Sequence, residues 1–262
     1  MKKKILYLLT CVGLCWSSCT NEVDEFIGNV EPSTRSVSTA LNANLASLFT
    51  GGVPTLTSAE IKEVNDAYAK MTSINCYRNI DEAVRNKTSY AGTIFLDDTY
   101  ASAYFRKGSL AFPPYGILAS SMEHEFIHMY QRDVQGKKVD TDKEKRDTGM
   151  MEFELAFYQG IIRYIHAGYS WTFKGEDGDP SYQSLWTSGL TDPSLIPQYE
   201  REFQTYVASI CANGKPTSID INEFVKWSNI FGEYSRGYSG KGYKFGNYDY
   251  GTSCINSLLK LY

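Results

Sequence analysis

The stretch 121–131 constrains the fold of this chain more than any other feature, because its pattern requires a buried helix. It reads Ser-Met-Glu-His-Glu-Phe-Ile-His-Met-Tyr-Gln and places His124 and His128 four residues apart. At 3.6 residues per turn, these two imidazoles lie about 40° apart on one face of a helix and can reach a single ion. Apolar neighbours such as Phe126 and Ile127 place the rest of the helix in a core.

Glu125 completes the His-Glu-x-x-His pattern (HExxH) and is the candidate catalytic group. It lies beside the face that carries the two histidines, so its carboxylate is poorly placed to be a third ligand. It can instead accept a proton from a metal-bound water and pass it to a leaving group. Two histidines on one helix face indicate Zn²⁺, whose catalytic sites use three protein ligands and leave a fourth position open.

The third ligand is expected to be acidic. The chain has 3 histidines, and the remaining one, His166, does not match the HExxHxxGxxH spacing, which would need a histidine where Val134 stands. Glu152 and Glu154 lie at the start of an otherwise apolar helix, where burying a carboxylate is costly unless it is paired or bound to a metal. The two side chains point about 200° apart on a helix, so only one of them can face the metal.

Residues 117–160 resemble the gluzincin branch of zincin metallopeptidases, in which a glutamate on the helix after HExxH completes the zinc site. Family members often have Glu-x-x-Ala-Asp or Glu-x-Glu-Ala where this chain has Glu-Phe-Glu-Leu-Ala. The resemblance implies zinc-dependent hydrolysis of a peptide or protein substrate. Matching the first glutamate to the family ligand favours Glu152, with Glu154 as runner-up. The family also uses a Tyr or His to stabilise the oxyanion, which 20 tyrosines and His166 leave open.

The predicted fold is α+β, zincin-like by the same resemblance and predominantly helical, with a small sheet beside the HExxH helix. A capping box at Thr57-Ser58-Ala59-Glu60 starts one helix, and the β-rich run 90–96 predicts a strand. We expect this strand along the cleft floor above the HExxH helix, where an extended substrate could add to its edge. Further helices are predicted near 80–84, 117–133, 150–166, 198–211 and 220–227, before an aromatic, loop-rich tail over 232–250.

The first residues predict export. Three lysines at positions 2–4 precede an apolar run over 5–16 that is too short to span a membrane, which is the layout of a secretory signal. The small residues before Cys19 resemble the lipobox of bacterial lipoproteins, and the acidic run after it resembles the export signal of some surface lipoproteins. A plain secretory peptide and an uncleaved anchor are the alternatives.

These features divide the chain into a signal peptide over 1–18, a lipid anchor and tether over 19–55, and a zincin-like catalytic domain over 56–262. We therefore expect acylation at Cys19 and an outer-membrane lipoprotein of a Gram-negative bacterium, periplasmic or at the cell surface. It would touch the membrane through its lipid anchor only. The formal charge of −4 becomes more negative when the leading lysines are removed, which argues against a nucleic-acid partner.

Three cysteines remain after the signal and the acylation site, namely Cys76, Cys211 and Cys254. Their wide spacing fits no CxxC metal pattern, so the sequence favours buried free thiols, although one disulfide with a free thiol stays possible.

Three other interpretations of the chain stay open. The histidines could be core residues, with the glutamates attracted to a helix dipole. The chain could bind zinc without turnover, as a degenerate zincin. It could also be an anchored surface lipoprotein that captures glycans or peptides on a tyrosine-rich surface, because tyrosine combines an apolar ring with a hydroxyl.

Overall fold

The computed structural model describes residues 40–137, 145–166, 190–212 and 214–262. These parts are mostly helical and contain one three-stranded sheet and one two-stranded sheet, so the predicted α+β class is confirmed. The helices are α1 (Ala43–Leu48), α2 (Ser58–Ser73), α3 (Asn75–Lys87), α4 (Ala119–Met129), α5 (Lys145–His166), α6 (Ile196–Ile210), α7 (Ile221–Tyr234) and α8 (Ser253–Leu259). The strands are β1 (Ile94–Leu96), β2 (Tyr104–Arg106), β3 (Ser109–Phe112), β4 (Cys211–Ala212) and β5 (Lys215–Pro216).

Helix α2 begins where the capping box predicts. The Thr57 hydroxyl accepts from the Glu60 backbone N–H, and the Glu60 carboxylate accepts from the Thr57 N–H at 2.6 Å. These two bonds satisfy donors that the first turn of a helix leaves free. The apolar positions of α2 then form its buried face, which packs against α3 and α4.

The three-stranded sheet has the order β1-β3-β2, with β3 parallel to β1 and antiparallel to β2. The β2–β3 hairpin was not predicted from the sequence. Its two-residue turn is Lys107-Gly108, and both residues have positive φ angles, 52° and 79°. Such turns match the twist of a hairpin, but their usual sequence is Asn-Gly or Asp-Gly. Because a lysine stands at the first position here, the sequence did not indicate a hairpin turn.

The strand that packs most extensively on the HExxH helix differs from the predicted one. Strand β2 packs more extensively against α4 than the predicted strand within 90–96 does. The edge before β1 is already paired, because Thr50 N–H donates to Tyr90 O at 2.8 Å and Ile94 N–H donates to Gly52 O at 2.9 Å. The first part of the predicted edge, up to Ile94, is therefore occupied by the chain itself.

The same contacts show that packed structure begins before residue 56, the predicted start of the catalytic domain. Within 40–55, Leu45, Leu48 and Phe49 are completely buried, and α1 packs against α3. The run of apolar residues in this stretch is too short to distinguish a short helix from a linker. The prediction of a tether therefore rested on the composition, which is rich in Ser and Thr. Residues 1–39, with the predicted signal and Cys19, lie outside the described residues.

Helix α4 runs into a π-helical turn, Tyr130–Val134, and α4 packs against α5. Helix α5 also packs against α6, α7 and α8, so it lies at the centre of the aromatic core. Helix α7 extends to Tyr234, further than predicted, and α8 was not predicted. Among the described helices, none combines the length and the apolar character that crossing a membrane requires.

Candidate metal centre

Helix α4 brings the two motif histidines together on one face. Their Nε2 atoms are 3.1 Å apart, and their ring planes are inclined at 81°. The two side chains are 13% and 16% exposed, so the pair is largely buried but still reachable from solvent. This is the arrangement that the four-residue spacing predicts.

Glu152 on α5 supplies the third group. Its Oε1 lies 3.4 Å from His128 Nε2, and its Oε2 lies 3.8 Å from His124 Nε2. Ligand atoms at zinc-ligand distances around a tetrahedral ion are roughly 3.3 Å from one another. The three observed separations bracket that value. The residues His124, His128 and Glu152 therefore form a group that could hold a metal ion.

The charges in this group stabilise one another. Burial alone would lower the pKa of His128, but the Glu152 carboxylate outweighs it and raises the pKa of His128 to about 9. Burial would likewise raise the pKa of Glu152, but the two imidazoles and the Tyr238 hydroxyl hold the pKa of Glu152 at about 2. Burial and the nearby His128 lower the pKa of His124. The Glu152 carboxylate and the His128 imidazole thus each favour the charged form of the other.

Glu125 is buried beside the triad, with its Oε1 4.0 Å from His124 Nε2. Burial is the main cause that raises the pKa of Glu125, and the Glu152 charge raises it further. The two histidines and a backbone hydrogen bond from Phe105 on β2 act in the opposite direction. The general-base candidate therefore lies between the histidine pair and the edge strand β2.

Glu154 points away from the histidines. It is completely buried, and its Oε2 accepts from Gln131 Nε2 at 2.8 Å and from the Tyr250 hydroxyl at 2.9 Å. Of the two glutamates that the sequence left as alternatives, the structure brings Glu152 to the histidines and places Glu154 in a separate polar cluster.

Two residues of the site had no predicted role. The Gln131 side chain forms hydrogen bonds with His128, the Met151 carbonyl and Glu154. Its position three residues after His128 places the two side chains on one helix face, which is the sequence feature that could have indicated this contact. Tyr238 donates to Glu152 Oε2 at 2.9 Å. No local pattern marks Tyr238 among the many tyrosines, because it reaches Glu152 from a distant part of the chain.

His166 is not part of the site. It lies at the end of α5, and its ring packs 5.9 Å from the Tyr262 ring. Fourteen residues separate it from Glu152 on the same helix, which corresponds to roughly 20 Å along the helix axis. It therefore drops out as an oxyanion-stabilising candidate, and among the described residues Tyr238 is a tyrosine whose hydroxyl contacts the triad.

Comparison of the chain with protein-family models, with curated proteins and with solved structures finds no match. The resemblance to gluzincins therefore stays a prediction from the motif residues, and the structure adds a group of three side chains that could hold a metal ion.

Proposed function

We propose that this protein is a zinc-dependent metallopeptidase with a zincin-like fold, in which His124, His128 and Glu152 hold the ion. One observation carries the proposal. Two imidazole nitrogens and a carboxylate from two different helices converge at separations of 3.1 to 3.8 Å, and a buried glutamate stands beside them. Structural zinc sites are closed by four protein ligands, whereas three ligands with an adjacent carboxylate suit catalysis.

Each side chain then has a distinct task. Zinc at this site would polarise a substrate carbonyl as a Lewis acid and would lower the pKa of a bound water. Glu125 takes a proton from the attacking water and delivers it to the leaving amine, because it is the carboxylate next to His124 that is not a ligand. Tyr238 holds the Glu152 carboxylate through its hydroxyl and lies at the rim of the same site.

Strand β2 supports a peptide as the substrate. It is an edge strand of the three-stranded sheet, and Phe105 at its centre reaches the Glu125 carboxyl through its backbone. A strand edge binds extended peptides by main-chain hydrogen bonds. A peptide aligned with β2 would run past Glu125 and the histidine pair, which places its scissile bond near the metal.

Glu125→Gln tests the proposal directly. The substitution keeps the size of the side chain but removes its proton acceptor, so zinc should stay bound while turnover falls roughly 10²- to 10⁴-fold. Zinc content by elemental analysis and cleavage of a denatured protein, with and without a chelator, are the measurements.

Glu123→Gln is the matched control. Glu123 is on the same helix, but it is hydrogen-bonded to Tyr77 and interacts electrostatically with Arg163. It should keep both zinc and turnover. Equal turnover in Glu125→Gln and the wild type would remove Glu125 from the mechanism. A wild type that binds zinc but cleaves no peptide library would favour the anchored binding protein instead.

We also propose that the chain is an exported lipoprotein acylated at Cys19. The support is the sequence of the first residues, which lie outside the described part. Cys19→Ala should shift the mature protein from the membrane fraction to the soluble fraction, because a single cysteine carries the lipid. Fractionation with labelled fatty acid measures this. A wild type that never incorporates the label would contradict the proposal.

A further inference from the structure

The π-helical turn after α4 places Gln131 against the metal centre. Its Oε1 lies 2.8 Å from His128 Nδ1, and its Nε2 donates to Met151 O at 3.0 Å and to Glu154 Oε2 at 2.8 Å. The side chain is completely buried. Isolated π-helical turns at the ends of α-helices are rare and often mark functional sites.

The amide of Gln131 can have only one orientation here. The Met151 carbonyl oxygen accepts hydrogen bonds and never donates them, so the group that faces it must be the Gln131 NH₂. The Gln131 oxygen therefore faces His128 and can only accept. It follows that His128 carries a hydrogen on Nδ1 and keeps its Nε2 for the side of the ring where His124 and Glu152 converge.

Glu154 and Tyr250 anchor the far end of this network. Glu154 Oε2 accepts from both Gln131 and the Tyr250 hydroxyl, and all three side chains are buried. Tyr250 is itself held, because Lys137 Nζ donates to its carbonyl oxygen at 2.8 Å and lies 3.8 Å from the centre of its ring. The network thus connects α4, α5 and the turn before α8.

We propose that Gln131 and Glu154 are positioning residues that fix the ring orientation and the metal-binding tautomer of His128. The path runs from His128 through Gln131 and Glu154 to Tyr250, and we call it the Gln131 hydrogen-bond chain. The proposal deepens the proposed function and rests on its metal centre. It also explains why a second glutamate is buried two residues after the ligand without touching the histidines.

The Gln131 hydrogen-bond chain ends on His128, one of the two motif histidines. His124 Nδ1 is buried, and no hydrogen-bond partner for it occurs among the residues that the structure describes. His128 is therefore the imidazole whose geometry this network controls. Partners of this kind that hold a ligand from behind typically contribute 10- to 100-fold to metal affinity.

The test is a set of graded substitutions assayed by zinc affinity. Gln131→Met keeps length and burial but removes both ends of the amide, and should lower zinc affinity about 10- to 100-fold. Glu154→Gln and Tyr250→Phe act further from His128 and should lower the affinity by successively smaller factors. Competition with a chromophoric chelator gives the affinities.

Gln159→Met is the matched control. Gln159 is also buried and lies on α5, seven residues or roughly 10 Å beyond Glu152 along the helix axis, whereas the hydrogen bond to His128 Nδ1 is made with Gln131. It should retain wild-type zinc affinity. A second readout is the exchange rate of the His128 Nδ1 proton in the zinc-loaded protein, measured by NMR. This exchange should accelerate in Gln131→Met and stay slow in Gln159→Met.

Unchanged zinc affinity in Gln131→Met would overturn the proposal, and so would an equal loss in Gln159→Met, which would mean general destabilisation. The outcome separates from that of the proposed function. If the wild type binds zinc and the graded losses appear but no peptide is cleaved, the positioning role stands and the peptidase proposal fails. If the wild type cleaves peptides and Gln131→Met keeps its zinc affinity, the peptidase proposal stands and the positioning role fails.

Discussion

Two glutamates separated by one residue have different environments in this protein. Glu152 is 21% exposed and faces two histidines, whereas Glu154 is fully buried and faces Gln131 and Tyr250. Helix geometry predicts that their side chains diverge, and the structure agrees. The sequence could not show which of them faces the histidines, because that depends on how α5 is rotated against α4.

Glu152→Ala distinguishes the two glutamates by metal content. Loss of a ligand should weaken zinc binding by more than the roughly 10- to 100-fold expected for outer partners. Glu154→Ala should lose less affinity but more stability, because it leaves the buried Tyr250 hydroxyl and the Gln131 amide without their acceptor. Elemental analysis together with chemical unfolding of both variants provides the comparison. A larger zinc loss in Glu154→Ala than in Glu152→Ala would exchange the two roles.

Gln131 shows the limit of motif-based prediction at this scale. The HExxH pattern predicts the two imidazoles and Glu125, because their spacing on one helix decides where they point. The acceptor behind His128 depends instead on the switch from α-helix to π-helical turn at Tyr130. The three-residue spacing places Gln131 near His128, but no residue pattern indicates that switch, so the structure is needed to show that Gln131 Oε1 faces His128 Nδ1.

At the scale of secondary-structure elements, prediction worked where local chemistry decides. The capping box located the start of α2, and the apolar run around HExxH located α4. The hairpin β2–β3 was not predicted because its turn is Lys-Gly. Helix α8 was not predicted because it follows a tail rich in glycine and tyrosine. The element that matters most for the site, strand β2, is therefore one that sequence reasoning did not find.

The close approach of the C-terminal segment to α5 depends on Gly149, which lies one turn before Glu152. A Cβ atom there would lie 2.7 Å from Lys244 O and 3.2 Å from Tyr243 Cβ. Tyr243 in turn lies near Glu152, whose charge, after burial, raises the pKa of Tyr243. This segment and the ligand helix are thus packed backbone against backbone.

Gly149→Ala should destabilise the protein, although alanine favours a helix over glycine by about 1 kcal/mol. The contact atom is a backbone carbonyl, so the segment over 243–246 must move away from α5. Thermal unfolding should show a lower midpoint, and zinc affinity should fall because Tyr238 and Tyr243 border Glu152. A higher midpoint, which is the sign that helix propensity alone predicts, would contradict this packing argument.

At the scale of the whole molecule, the described residues form one core cluster that runs from α1 to α8. The segment over 40–55 belongs to this cluster and also pairs with the residues just before β1, since Tyr90 N–H donates to Leu48 O at 2.6 Å and Gly51 N–H donates to Gly92 O at 3.1 Å. Composition suggested a tether here. The burial and backbone pairing of this segment depend on residues some forty positions away in sequence. The local composition of residues 40–55 therefore could not predict them.

A chain that begins at residue 56 should therefore be much less stable than one that begins at residue 40. It lacks the buried side chains of Leu45, Leu48 and Phe49, and losing a buried side chain of this size costs about 2 to 5 kcal/mol. Three such losses approach the total stability of a typical domain, about 5 to 15 kcal/mol. The shorter chain should unfold at lower denaturant, or be unfolded in buffer. Leu45→Ala in the longer chain should lose one such increment. Equal unfolding midpoints for the two chains would show that residues 40–55 contribute nothing to the core, and would restore the boundary at residue 55.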